Sequence, residues 1–166
     1  SSAKNNTGAG ITAVGSNALT TNTSGVSSTG IGTNALNDNT TGSYNVALGR
    51  DALYNNTTAS YNTAVGYKAG DNNTTGTQNV FVGVGAGQLN TSGSYNTYVG
   101  RGNGRAAGLN MTSGSKNTII GGFNGNQDGL DIRTSSNNIV LSDGDGNPRL
   151  YVDSDVFHVN NVSGSR

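Results

Sequence analysis

The apolar residues of this 166-residue chain fall into columns rather than stretches. A glycine preceded by a branched aliphatic residue recurs at Gly15, Gly32, Gly49, Gly66, Gly83 and Gly100, every 17 residues, and again at Gly121 after 21. The residue before it is Val14, Ile31, Leu48, Val65, Val82, Val99 or Ile120. Three before it stands Thr12, Thr29, Val46, Thr63, Val80, Thr97 or Thr118. Self-similarity at a fixed period marks an array in which each copy is one turn of a stacked coil. β-Branched residues suit a pleated, half-buried surface, so each copy is predicted to carry one strand of about five residues.

Residues two apart share a strand face. The Thr/Val column and the Val/Ile/Leu column are therefore expected to face inward together. Between them run Ala13, Gly30, Ala47, Ala64, Phe81, Tyr98 and Ile119, which this assignment turns outward. A strand apolar on both faces is buried on both, and a second subunit is the expected cover. The growth of this middle column along the chain suggests that the covering surface recedes or the fibre thickens.

A second, shorter inward segment is predicted at Ala18, Ala35, Ala52, Ala69 and Ala86. The next position runs Leu19, Leu36, Leu53, then Gly70, Gly87, Gly104 and Gly125. Polar turns at 39–43, 56–60 and 73–77 close the coils, with Asn, Gly, Ser and Thr supplying left-handed backbone and local hydrogen bonds. Asn45, Asn62, Asn79, Asn96 and Asn117 stand four before the glycine. Stacked, they are expected to form an amide ladder, each carboxamide donating to the next, a structural role preferred over ligand binding.

The fold class is thus all-β: a parallel β-solenoid of about seven 17-residue coils over 1–125. At roughly 4.8 Å per coil the rod is about 35 Å long. After Gly125 the pattern changes. Asn138 to Ser142 keep the phase of the repeats, and the turn-rich 143–148 followed by Arg149 to Asp153 reads as a β-hairpin. A β-hairpin collar is placed over 126–162, and 163–166 as a disordered end or a cloning scar.

Composition narrows the function classes. Only 31% of the chain is hydrophobic, so one coil cannot offset its own ordering entropy. Stacking and oligomerisation are both expected to contribute. Nine basic residues balance nine acidic ones, which argues against nucleic acid. No apolar run reaches the ~18 residues of a membrane span, so no membrane insertion is expected. The lack of cysteine leaves the redox compartment open. With no initiating Met at Ser1, the chain reads as a fragment of a longer protein.

The segment 62–69 (NTAVGYKA) and its relatives resemble the head repeats of trimeric autotransporter adhesins, and more closely the related repeats of bacteriophage tail-fibre proteins. The segment 138–150 (NIVLSDGDGNPRL) is similar to the stretch that often precedes an endosialidase-type intramolecular chaperone domain in such fibres. The first likeness covers roughly 8–125, the second roughly 137–153. Together they imply a homotrimeric, left-handed β-roll in a virion tail fibre, acting outside the cell in attachment to a host-surface glycan or protein receptor. The 17-residue period departs from the shorter adhesin repeat and favours the phage-type fibre over an adhesin head on a bacterial surface. An ice-binding solenoid is the third class; a buried Thr column argues against it.

No enzyme is expected, and no cofactor. His158, the single histidine, lacks a nucleophile and an orienting acid in any recognisable motif. Asp38, Asp51 and Asp71 fall in different columns, so no glycosidase-like carboxylate pair recurs. Asp143, Asp145 and Asn147 alternate as in the start of a calcium loop, but Pro148 stands where its glycine belongs, and a hairpin turn is preferred. Exposed aromatics and arginines are the candidates for sugar binding. Tyr44, Tyr61 and Tyr95 share one column, while Tyr67, Arg50 and Arg101 share another. The alternative for the first column is a tyrosine ladder that shields the coil edges.

Overall fold

The computed structural model describes residues 6–101, 104–153 and 156–159, and these contain strands and turns without a helix. Seven three-residue strands stack in chain order: β1 (Thr12–Val14), β2 (Thr29–Ile31), β3 (Val46–Leu48), β4 (Thr63–Val65), β5 (Val80–Val82), β6 (Thr97–Val99) and β7 (Thr118–Ile120). All pair in parallel and column for column, so Thr12 meets Thr29 and Val14 meets Ile31. The chain then makes a small antiparallel hairpin, β8 (Asn126–Gln127) with β9 (Leu130–Asp131). It returns as β10 (Ile139–Ser142), which pairs in parallel with β7 as an eighth rung. β11 (Pro148–Asp153) and β12 (Val156–Val159) follow antiparallel and end the sheet. The protein is therefore a parallel β-solenoid of eight rungs, and β10 serves both the stack and the terminal hairpin. The predicted end segment 163–166 lies outside the described residues.

The strands are shorter than the five residues expected, because the corner glycine ends each one. Gly15 through Gly121 in that column take φ between 109 and 135°, a region essentially restricted to glycine. A Cβ there would also lie 2.2–2.8 Å from a carbonyl oxygen of the next coil. Both reasons recur at every corner, which is why the glycine holds its spacing. The opposite wall is turn rather than strand, yet its backbone is paired between coils; Leu19 N–H, for example, donates to the Ala35 carbonyl at 3.0 Å.

The face assignment is reversed. Ala47, Ala64, Phe81, Tyr98, Ile119 and Val140 of the middle column are fully buried inside the coil. The flanking columns point outward, with Val14 56%, Ile31 41%, Ile120 46% and Ile139 48% exposed. A strand of three residues sends one side chain one way and two the other, and the narrow interior of a 17-residue coil has room for the one.

The growth of the middle column is likewise internal. Ala18, Ala35, Ala52, Ala69, Ala86 and Ala107 form the facing wall, with Leu19, Leu36 and Leu53 filling the space opposite Ala13, Gly30 and Ala47. Where Phe81 and Tyr98 take over the interior, glycine replaces leucine. A Cβ on Gly87 would sit 2.4 Å from Phe81 Cδ1, and one on Gly108 2.5 Å from Tyr98 Cδ2. Side-chain volume is exchanged between the two walls, and the Phe81 ring also fills the fourth coil, where Ala64 faces Gly70 and a Cβ on Gly70 would lie 2.5 Å from Phe81 Cδ2.

Gly108, not Gly104, holds the sixth place in that column. Four extra residues enter between Gly100 and Ala107, whose N–H still reaches the Gly100 carbonyl at 3.2 Å, as Ala86 reaches Gly83 three residues back. In the seventh coil Phe123 takes the alanine position, its carbonyl accepting from Gly108 N–H at 2.9 Å, so Gly125 also falls outside the column.

The asparagine ladder differs in its bonding. The Oδ1 atoms of Asn45, Asn62, Asn79, Asn96 and Asn117 accept chiefly from the backbone N–H of the next asparagine, at 2.9–3.0 Å, ending on Asn138. Their Nδ2 groups donate to turn carbonyls such as Ala59 and Gly76. The amide-to-amide ladder is a second column, in the polar turns. Asn39, Asn56, Asn73 and Asn90 each donate Nδ2 to Oδ1 of the asparagine one coil before, beginning with Asn22, at 2.7–3.1 Å. These buried amides exchange hydrogen bonds instead of losing them to a dry interior.

Candidate functional site

The tyrosine column lies at a corner where the backbone turns left-handed. Tyr44, Tyr61 and Tyr95 take φ of 59, 64 and 61°, and their N–H groups donate back to the preceding coil. Their rings are exposed. Tyr44 and Tyr61 stack on each other with centroids 5.0 Å apart and planes 7° apart, so each ring occupies one face of its neighbour. Gln78 takes the next rung of the column, between Tyr61 and Tyr95.

The column after the corner glycine runs Ser16, Thr33, Arg50, Tyr67, Val84, Arg101. Arg50 lies over the Tyr67 ring at 5.7 Å and pairs with Asp51 at 3.2 Å. Lys68 Nζ is also 5.7 Å from the Tyr67 centroid. Beyond Tyr67 the column drops to the small Val84 and then rises to Arg101. The four-residue enlargement of the sixth coil begins at Arg101, which bridges to Ala106. The result is a cleft of about 240 Å³ walled by Tyr67, Lys68, Gln88, Arg101, Arg105 and Leu109, with Val84, Gly85, Gly104 and Ala106 completing it.

Three departures from the repeat meet nearby. Arg105 Nη1 donates to the Asp145 carbonyl at 3.3 Å, and Gln127 Nε2 of β8 donates to that carbonyl at 3.3 Å and to Asn147 Oδ1 at 2.9 Å. The sixth-coil loop, the β8–β9 hairpin and the β10–β11 turn thus brace one another.

Asp143, Asp145 and Asn147 lie in that turn. The Asp143 carboxylate accepts from the N–H groups of Asp145 and Asn147, both at 3.0 Å, from Asn147 Nδ2, and from the Arg149 guanidinium. The Asn147 bonds, helped by Arg149, hold its pKa down at about 2. Its lone pairs are spent on the turn. His158 stacks on Tyr151 at 4.2 Å, and its Nε2 meets Asp153 Oδ1 at 2.8 Å.

Asp51 and Asp71 belong to different sequence columns, yet they lie on adjacent coils around Lys68, which reaches Asp71 at 3.7 Å. Burial pushes the Asp71 pKa up; Lys68 opposes that and Asp51 adds to it. Of the predicted binding residues, then, Tyr67 and Arg101 share a cleft, Arg50 backs it, and Tyr44, Tyr61 and Tyr95 stand on another edge. Lys68, Gln88 and Arg105 were not singled out from the sequence. Lys68 could have been found by projecting adjacent columns onto one surface, but Arg105 is hidden by the insertion that shifts the register. Among the described residues, no three His, Cys, Asp or Glu side chains converge on one point.

No protein-family model, curated protein or solved structure matches the chain.

Proposed function

We propose that the chain is a non-enzymatic segment of a homotrimeric fibre of the phage tail type, presenting a surface for attachment to a host cell. The observation that supports this most is the outward face of β1–β7 and β10. Two columns of Thr, Val, Ile and Leu run the length of the sheet without a charged residue in either. So long an apolar stripe is a mark of an interaction surface. A second copy of the chain suits it, because equal coil spacing lets two such stripes match rung for rung over their whole length. Three copies about one axis give each stripe two partners and close the assembly. The cleft at Tyr67 and Arg101, set on a different edge of the coil, stays open to the receptor in that arrangement. Labelled protein incubated with a panel of bacterial strains is expected to adsorb to some and not others, with loss on periodate treatment of the surface. Uniform absence of adsorption across the panel contradicts the attachment role.

The outward Thr column favours a second reading. Thr12, Thr29, Thr63, Thr97 and Thr118 are not buried, so the argument against an ice-binding face no longer holds. A thermal hysteresis measurement separates the two: a fibre segment depresses freezing only colligatively, whereas an ice-binding face opens a gap between melting and freezing.

A further inference from the structure

We infer that the cleft between Tyr67 and Arg101 binds a single pyranose ring bearing a carboxylate, an acidic sugar unit of a surface glycan. The inference rests on the attachment reading and names the chemistry of its ligand.

Three observations converge. First, Tyr67 and Arg101 are two rungs apart in one column, about 10 Å along the axis, with the small Val84 and Gly85 as the floor between them. That gap admits one flat ring in contact with a wall on either side. The cleft's 240 Å³ is below the ~300–1,000 Å³ of sites for drug-sized ligands and suits one sugar ring, with the rest of a chain running outside.

Second, the charge is one-sided. Lys68, Arg101 and Arg105 line the cleft and no acidic side chain does. Lys68 is held from behind by Asp71, and Arg105 spends one N–H on the Asp145 carbonyl. Among the described residues Arg101 makes no ion pair, the acids Asp51, Asp71 and Asp143 being engaged by Arg50, Lys68 and Arg149. An arginine fork fits a carboxylate through two parallel hydrogen bonds. Gln88 Nε2 donates one N–H to Asp71 Oδ2 at 3.5 Å, leaving its second N–H and its oxygen for ring hydroxyls. The Tyr67 ring, with Arg50 and Lys68 each 5.7 Å from its centroid, is the aromatic wall.

Third, the cleft is built by a departure from the repeat. The 17-residue period holds through five intervals and breaks after Gly100, where the additional residues bring Arg105 to the edge beside Arg101, which keeps its place in the column. The Arg105 guanidinium is braced on the β10–β11 turn, and the Arg101 backbone bridges to Ala106.

Titration calorimetry of the intact protein against trigalacturonate, its methyl ester, sialyllactose and lactose tests the inference. At least one acid is expected to bind, and at least tenfold more tightly than its neutral counterpart, with the preference shrinking at high salt. Arg101→Ala and Tyr67→Ala should each weaken it tenfold or more with the circular dichroism spectrum unchanged. Equal affinity for acid and neutral forms, no binding by any of the four at millimolar concentration, or full binding by Arg101→Ala each overturns it. Adsorption to cells is measured in parallel. Adsorption that survives in Arg101→Ala sinks the cleft assignment alone, whereas wild-type protein that adsorbs to no strain sinks the attachment reading beneath it.

Discussion

At the scale of single residues the solenoid is held by what each position denies its neighbour. Leu19, Leu36 and Leu53 accept φ of 50–53°, so the left-handed turn does not by itself demand glycine at Gly87, where φ is 61°. The Phe81 ring does. Gly87→Leu is therefore expected to cost about 3 kcal/mol through overpacking, and Phe81→Ala a similar amount through a cavity. The double variant rebuilds the Ala47/Leu53 pairing of the third coil and should unfold at higher urea than either single; strictly additive losses would contradict the exchange. The turn ladder gives a second comparison. Asn73 donates to Asn56 and accepts from Asn90, whereas Asn90 Oδ1 is buried without a donor because Met111 occupies the next rung. Asn73→Ala should cost about 1–3 kcal/mol by stranding partners on both sides, and Asn90→Ala clearly less. Equal urea midpoints for the two variants would show that the ladder is not read correctly. Asp71 supplies a pH test. Its folded pKa is raised by burial, so its ionisation opposes folding as pH rises through that value. Asp71→Asn should be more stable than the wild type at pH 7, with the difference closing at pH 3; a variant less stable at pH 7 would mean the Lys68 pair outweighs the burial.

At the scale of the element, the repeat carried most of the fold in plain view. The glycine spacing alone places β1–β7, and the phase of 138–142 places β10. What stayed hidden is which side of a three-residue strand is inside, since Thr-Ala-Val is apolar on both faces and alternation does not choose between them. Closure of the coil chooses, by leaving room for one side chain. The column at Gly104 was misplaced for a related reason: a period cannot say where inside a coil four extra residues enter, and hydrogen bonding to Gly100 does. The cleft was half legible. Tyr67 and Arg101 share a column, but Arg105 reaches it only through the inserted loop. The terminal hairpin was legible from its turn, and its electrostatics are testable. Asp143 is held at about pKa 2 by Asn147 and Arg149, so the turn keeps that stabilisation above its unfolded value near 4 and loses it as pH falls toward 2. An NMR titration should place the Asp143 carboxyl midpoint near 2, moving toward 4 in Arg149→Ala; an unmoved midpoint would remove Arg149 from the account.

For the whole molecule the deciding feature is the uncharged stripe of Thr, Val, Ile and Leu that the fold turns outward. A chain with so little interior per coil leaves a large share of its branched aliphatic carbon in water, and association is the way to bury it. The same stripe makes the prediction specific. Val65→Glu with Val99→Glu places two charges on it without touching the buried columns, and should give folded protein that no longer associates. The most direct test of the assembly is molar mass in solution by light scattering behind a size-exclusion column. The account predicts three times the 16.7 kDa chain for the wild type, falling to one chain in the doubly charged variant. A folded wild-type monomer, with the stripe stable in water, would contradict it.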